Sequence, residues 1–313
     1  MKILASALAL IGLVAASRPP AIDAQTISKE QMLFLTAEWK GERFADGRPK
    51  VPDSILARMK NVSMEEAWEV LQASGYKNQF EGGWQMVHDD VPVIGRAVTA
   101  HYMPARPDLA QRILERGHKE GRVGPMNSWP IDTLQKGDVY VADGFGKIEG
   151  GTLIGDNLGN SIFAKSGNGV VFDGSARDLE GLAEIKGFNA FVRGFDPTLI
   201  RDLMLMGLNT SIRIGRVTVL PGDVVLAKRE GITFIPAHLA EAVVRESERI
   251  SLRDKFGHQR LREGKYTPGQ IDVVWTKEIE EDFRRWLIEN RDKLDAPRET
   301  IDELIRPGTE RGN

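Results

Sequence analysis

The sequence contains no cysteine, which excludes disulfides and thiolate metal sites outright. Histidine is scarce, and His101, His118, His238 and His258 stand far apart. Only His88 has acidic neighbours, Asp89 and Asp90, and that trio lacks the spacing of a metal site. There is no long basic run, and the formal net charge of −3 makes nucleic acid a poor partner. Long apolar runs are missing as well, except at the start. There, Lys2 is followed by an unbroken small and apolar stretch from Ile3 to Ala16, then Ser17-Arg18-Pro19-Pro20. That is the layout of a signal peptide, too short for a comfortable membrane span. Cleavage after Ala16 or Ala24 is expected to release a periplasmic or secreted protein with no membrane span.

Of the 313 residues, 41% are hydrophobic, a core for one large domain with extensions or for two small ones. Thr26 to Gly75 reads as a helical region. Pro52-Asp53-Ser54 precedes Ile55, Leu56 and Met59, and Ser63 precedes Glu66 in capping-box spacing. Two such amphipathic helices suffice to cover a sheet face. Asn78 to Trp84 reads as a loop, Pro92 to Ala100 as a strand, and Asp108 to Gly117 as an amphipathic helix. Gly137 to Asp143 is a strand entering a turn. The glycines after it come near a dinucleotide fingerprint, but Gly150 arrives one residue late, so no Rossmann cofactor site is expected. Further on come a helix from Leu179 to Ile185 and a strand from Asn189 to Gly194. Four successive strands lie between Asn209 and Pro236, a charged helix runs from Ala237 to Arg262, and another from Trp275 to Leu287. The last residues read as frayed.

The stretch from Gly155 to Asp178 holds the residues suited to chemistry. Gly155-Asp156-Asn157-Leu158 has the look of a helix opening, with Gly167 closing the helix. Free amides there, at the positive end of the helix dipole, hold a carboxylate or phosphate. Val170 to Phe172 reads as a short buried strand and Asp173 to Ala176 as a turn. The turn delivers Arg177 and Asp178 side by side at the start of the next helix. Arginine grips a carboxylate with two parallel hydrogen bonds, and aspartate is a hard oxygen ligand for a divalent cation. A 2-oxo acid bound to Mg²⁺ needs both. Each residue also has an ordinary use: Asp178 or Asp156 as an N-cap, Arg177 in a surface ion pair, Gly155 in a tight turn. Only their joint occurrence lifts them above it. Lys165 and Lys186 carry no mark of burial, so a Schiff-base route is not expected.

In order along the chain, Gly155 to Leu158, Gly169 to Asp178, Phe191 to Gly194, and Gly215 to Ala227 closing at Ile235-Pro236 resemble the motifs of the RraA-like family. That family takes its name from the regulator of RNase E activity A. It includes divalent-metal-dependent 4-hydroxy-4-methyl-2-oxoglutarate aldolases that also decarboxylate oxaloacetate. The resemblance spans roughly Val91 to Gly264 and implies an α/β fold, a compact β/β/α sandwich with N-terminal helices and a C-terminal helical extension. The expected division is a signal peptide (1–24), an N-terminal helical region (25–90), the RraA-like domain (91–264) and the extension (265–313). A homotrimer, or two stacked trimers, with active sites between subunits is also implied.

At matched positions, the resemblance implies that Gly155, Asp156, Asn157 and Leu158 hold the substrate's 2-oxo carboxylate through backbone amides. Arg177 binds the same pyruvyl end, and Asp178 ligates Mg²⁺ or Mn²⁺. Arg177 and Asp178 are then the catalytic pair for retro-aldol cleavage of a 4-hydroxy-2-oxo acid to pyruvate, with oxaloacetate decarboxylation as a side activity. Family aldolases also take an acidic group from a neighbour's C-terminal helix, for which Glu246 or Glu248 could serve here. This chain departs from many members at Lys228-Arg229, where they carry two acids. The alternatives are a non-catalytic binding or regulatory protein, as the family's namesake is, and a methyltransferase, for which no cofactor motif is present.

Overall fold

The computed structural model describes residues 25–306, so the leader-like segment lies outside the described residues. Helix α1 (Lys29–Leu35) is capped by Ser28, whose hydroxyl accepts the Gln31 amide. α2 (Asp53–Met59) follows Pro52, and α3 (Met64–Ala73) opens on a complete capping box between Ser63 and Glu66. The loop expected next contains a two-residue strand, β1 (Phe80–Glu81), followed by an equally short β2 (Gln85–Met86). β3 (Val93–Pro104) is longer than its sequence pattern indicates.

The middle of the chain alternates. α4 (Pro107–Lys119) and α5 (Trp129–Asp132) precede β4 (Asp138–Asp143); α6 (Asp156–Ser166) precedes β5 (Val170–Ala176); α7 (Leu179–Ala183) precedes β6 (Ala190–Phe195). β3, β4, β5 and β6 pair in parallel, as such helical crossovers require. The antiparallel strands follow: β7 (Leu203–Leu208), the hairpin β8 (Ile212–Ile214) and β9 (Val217–Val219), then β10 (Val224–Lys228) and β11 (Gly231–Ile235). The sheet order is β1-β11-β10-β3-β4-β5-β6-β2, with β7 paired to the far half of β3.

Alternation along the strands separates two cores. Tyr140, Ala142 and Phe172 face Ile113 of α4, Trp129 of α5, Ile162 of α6 and Leu182 of α7. Val139, Val141 and Val171 face the β8–β9 hairpin through Ile212, Ile214, Val217 and Val219. Helices, sheet and hairpin therefore stack as the expected β/β/α layers. A third cluster seats α2 and α3, with the long α8 (Ala240–Arg262), on Ile94, Val224, Leu226 and Ile235. The chain then adds α9 (Pro268–Ile271), α10 (Lys277–Asn290) and α11 (Arg298–Ile305). These helices bury Phe256 of α8 with Phe283, Trp286, Leu287 and Ile301, so the segment read as frayed is docked as far as α11. No helix among the described residues is long and apolar enough to cross a membrane.

Two polar features, one of them fully buried, hold the N-terminal region to the sheet. Asp138 is fully buried and accepts both Nη atoms of Arg48 at 2.9 and 2.8 Å, with Arg96 Nε at 3.6 Å. Lys228 donates to the Lys60 and Val62 carbonyls and so ties the α2–α3 link to β10.

Asp223, just before β10, is buried and accepts the Leu220 amide at 2.8 Å and the Ala237 amide. Burial outweighs those two bonds and pushes its carboxyl up to about 7. Unfolded, the group titrates near about 3.9. The folded protein thus binds this proton more tightly, and stability falls as pH rises from about 4 through about 7, by a few kcal/mol in order of magnitude. Thermal melts of the wild type and Asp223→Asn are expected to diverge between about pH 4 and 7, the variant gaining relative stability as pH rises. Parallel curves would show a carboxyl that ionises in the ordinary range.

Candidate active site

The site forms where the parallel strands end. Asp173 to Ala176 is not a turn: β5 continues through Ala176, and the register against β6 shifts between Phe172 and Ser175. Such a bulge re-aims the strand end. The segment before α6 runs alongside it, with the Leu153 amide on the Ser175 carbonyl and the Arg177 amide on the Ile154 carbonyl, each at 3.0 Å. Two sequence-distant stretches are thereby held side by side. Gly155 reaches the start of α6 opposite Arg177 and Asp178.

The approach there is close. A Cβ on Gly155 would lie 2.2 Å from Asp178 Oδ2 and 3.2 Å from Arg177 Nε, so any side chain there would displace the Asp178 carboxylate. Arg177 Nε and Asp178 Oδ2 are 3.5 Å apart, each side chain a little over one-third exposed. Asp178 occupies the N-cap position of α7 with a left-handed backbone (φ 56°, ψ 46°) and makes no side-chain capping bond. Its carboxylate does not serve the helix. An unusual backbone that releases a carboxylate instead of using it is the kind of strain found at functional sites.

α6 itself runs from Asp156 to Ser166 between glycines, with Gly155 as an N-cap that offers no side chain and Gly167 in the left-handed cap. One expectation needs correcting. The Asn157 amide is taken by Asp156 Oδ1 at 2.7 Å, so Asn157 is not a free donor. Asp156 and Leu158 remain as the main-chain donors of the cradle. Asp156 is not the N-cap but the first helical residue, and its side chain packs on Gly181 of α7.

A recess of about 100 Å³ connects these parts, lined by residues 152–158, Arg177, Asn127, Leu199 and Ile200. Larger hollows exist, one of about 440 Å³ beside Phe34, Tyr76 and His238, but Arg177 does not line that one. No sequence pattern marks Asn127, Leu199 or Ile200, because a short 3-10 turn and a loop bring them in without any motif. Asn127 donates to the Leu153 carbonyl at 2.7 Å, and its buried Oδ1 has no partner among the described residues.

Other candidates fall away or change role. His88 contributes only its backbone, whose amide donates to Asn189 Oδ1. Glu248 accepts Arg58 at 2.7 and 2.8 Å and the Thr300 hydroxyl at 3.1 Å, so it is committed within its own chain. Glu246 sits 3.7 Å from Arg249. Among the described residues, no group of three or more His, Asp or Glu side chains could hold a metal ion. Beside the recess, at Gly155 and Arg177 but not on its wall, stands one uncapped carboxylate, Asp178. That set suits Mg²⁺, which takes one or two carboxylates and leaves its other positions to water and substrate oxygens. It does not suit zinc, which closes on three or four side chains.

Comparison with known proteins agrees with the fold. The family model described as RraA-like, Aldolase/RraA, matches residues 64–234. Protein DlpA of Legionella pneumophila is 25% identical over 206 residues, which is 64% of this chain but 31% of that protein. A protein of Alcanivorax borkumensis provisionally named 4-hydroxy-4-methyl-2-oxoglutarate aldolase is 32% identical over 109 residues, 35% of this chain and 67% of its own. The chain thus spans about a third of DlpA. The structure of Streptomyces coelicolor RraAS2, described as an unusual member of the RNase ES inhibitor RraA family, superposes with a TM-score of 0.58 at 24% identity. It covers 67% of this chain and all of its own.

Proposed function

The chain belongs to the RraA-like family, and from that premise we propose that it is a divalent-metal-dependent lyase releasing pyruvate from a 4-hydroxy-2-oxo acid. One observation carries the reading: Arg177, Asp178 and the open first turn of α6 meet within contact distance at Gly155. The aldolase name of the Alcanivorax relative supports the same reaction class. Arg177 fixes the substrate carboxylate through paired hydrogen bonds, and the amides of Asp156 and Leu158 add donors at the helix start. Asp178 would hold a divalent cation, which would supply stabilisation of negative charge on the 2-oxo oxygen.

In the reaction the C3–C4 bond breaks and its electron pair stays on the pyruvyl fragment as an enolate. The C4 hydroxyl gives up its proton as the new carbonyl forms, and C3 gains one. Asp156, the acidic residue that lines the recess among the described residues, is the chain's own candidate for that proton. Decarboxylation of oxaloacetate reaches the same enolate without a base, so it is proposed as a side activity. The proposal extends to a homo-oligomer of the trimeric family type, and to export on the pattern of residues 1–24.

The test is a panel of 4-hydroxy-2-oxo acids given to the purified protein with Mg²⁺, with pyruvate followed by a coupled reduction. Release above the protein-free rate, abolished by EDTA and restored by Mg²⁺, is the expected result. A rate equal to the protein-free control across the panel would leave the non-catalytic reading.

A further inference from the structure

The cavity of about 440 Å³ lies between the end of α1, with the segment after it, and residues flanking β9, β10 and β11. Residues Phe34 to Trp39 and Pro49 line part of it, and these precede the stretch 64–234 that the family model matches. The N-terminal region therefore builds a hollow onto the family domain. Phe34, Trp39 and Tyr76 supply three aromatic rings to the lining, and Phe34 is 75% exposed. Asp223 and Glu38 supply two carboxylates. One cavity thus joins an aromatic ring left in water to a buried acid.

Asp223 is the group without a counter-charge. It is 5% exposed, and it accepts only the main-chain amides of Leu220 and Ala237. Among the described residues no cationic side chain pairs with it. Lys40, next in sequence to the lining, is held on the Ala37 carbonyl. His238 lies 3.2 Å from the Tyr76 hydroxyl through Nε2, and burial pulls its imidazole below the ordinary value against the pull of Glu38. It is therefore neutral at pH 8. A buried carboxylate either keeps its proton or stands beside a cation. Aromatic faces attract an ammonium through their quadrupole, and a hollow of this volume suits a small molecule.

We propose that this cavity binds an organic cation, an ammonium group on an apolar body, with Asp223 as its counter-charge and Phe34, Trp39 and Tyr76 around the rest. The site stands apart from the lyase reading, since Asp156 and Arg177 line the other recess.

Calorimetric titration at pH 8 tests it with three probes of similar shape: 2-phenylethylammonium, 2-phenylethanol and phenylacetate. The ammonium is expected to bind about tenfold or more tightly than the alcohol, and phenylacetate most weakly of the three. Asp223→Asn keeps the side chain's outline and removes its charge. In that variant the preference for the ammonium is expected to vanish while the alcohol binds as before. Phe34→Ala, at a position already in water, weakens the ammonium and the alcohol alike and leaves the fold intact. Three results each overturn the proposal: no binding of 2-phenylethylammonium at millimolar concentration, binding no tighter than that of the alcohol, or a preference that survives in Asp223→Asn. Ammonium affinity unmoved by Phe34→Ala overturns it as well, whatever the stability of the Asp223 variant.

Discussion

Asp178→Asn is expected to lower kcat for pyruvate release by about 10³-fold, in line with the loss of a group that stabilises developing charge. Asparagine is the informative replacement because it tolerates the left-handed backbone at this position, where alanine adds strain. Stability should hardly change. Among the described residues Asp178 pairs with Arg177 alone, at 3.5 Å and more than one-third exposed, a contact worth less than about 1 kcal/mol. Arg177→Ala behaves differently. On the proposed function its guanidinium would grip the substrate carboxylate in the ground state and the transition state alike, so KM is expected to rise more than kcat falls. Metal titration of the two variants separates them further: Asp178→Asn needs far more Mg²⁺, Arg177→Ala does not. Wild-type kcat in Asp178→Asn would move the chemistry to another part of the molecule.

The largest effect on stability is expected at the opposite end of the sheet. Asp138→Ala removes the partner of Arg48 and leaves two guanidinium groups, 1% and 2% exposed, around an empty position. Asp53 still pairs with Arg96, but Arg48 loses its two charged hydrogen bonds. Breaking one half of a buried pair costs roughly 3–5 kcal/mol. In a protein of this size that lowers Tm by on the order of 10 °C. Urea or thermal melts give the value directly, and a change below about 1 kcal/mol would mean that water reaches the cluster. Replacing both partners with apolar residues of similar volume should recover much of the loss, since no charge is then stranded.

The sequence exposes some of these features and hides others, for physical reasons. α6 is legible because glycines stand at both its ends, and α3 because Ser63 and Glu66 form a capping box. The parallel strands are legible as short apolar runs bounded by turn residues. β7 is not. Its sequence, Leu203–Leu208, is continuously apolar and rich in helix-forming Leu and Met, and only pairing with β3 makes it a strand. α11 is eight residues long and takes its order from Ile301 and Leu304 docked in the C-terminal cluster. The pairing of residues 152–154 with the end of β5 is equally non-local. A motif can therefore suggest that Gly155 lies close to Asp178, whereas their spacing in the chain carries no such information. The lining of the recess shows the same limit. Leu199 and Asn127 lie 72 positions apart, and neither sits in a recognisable pattern.

The glycine start of α6 has a last consequence. Ser63 satisfies the Glu66 amide of α3 from within the chain, whereas Gly155 brings no side chain to α6 and Asp156 takes only the Asn157 amide. On the proposed function, the bound acid would supply the missing cap, so its binding and the ordering of that turn would be linked.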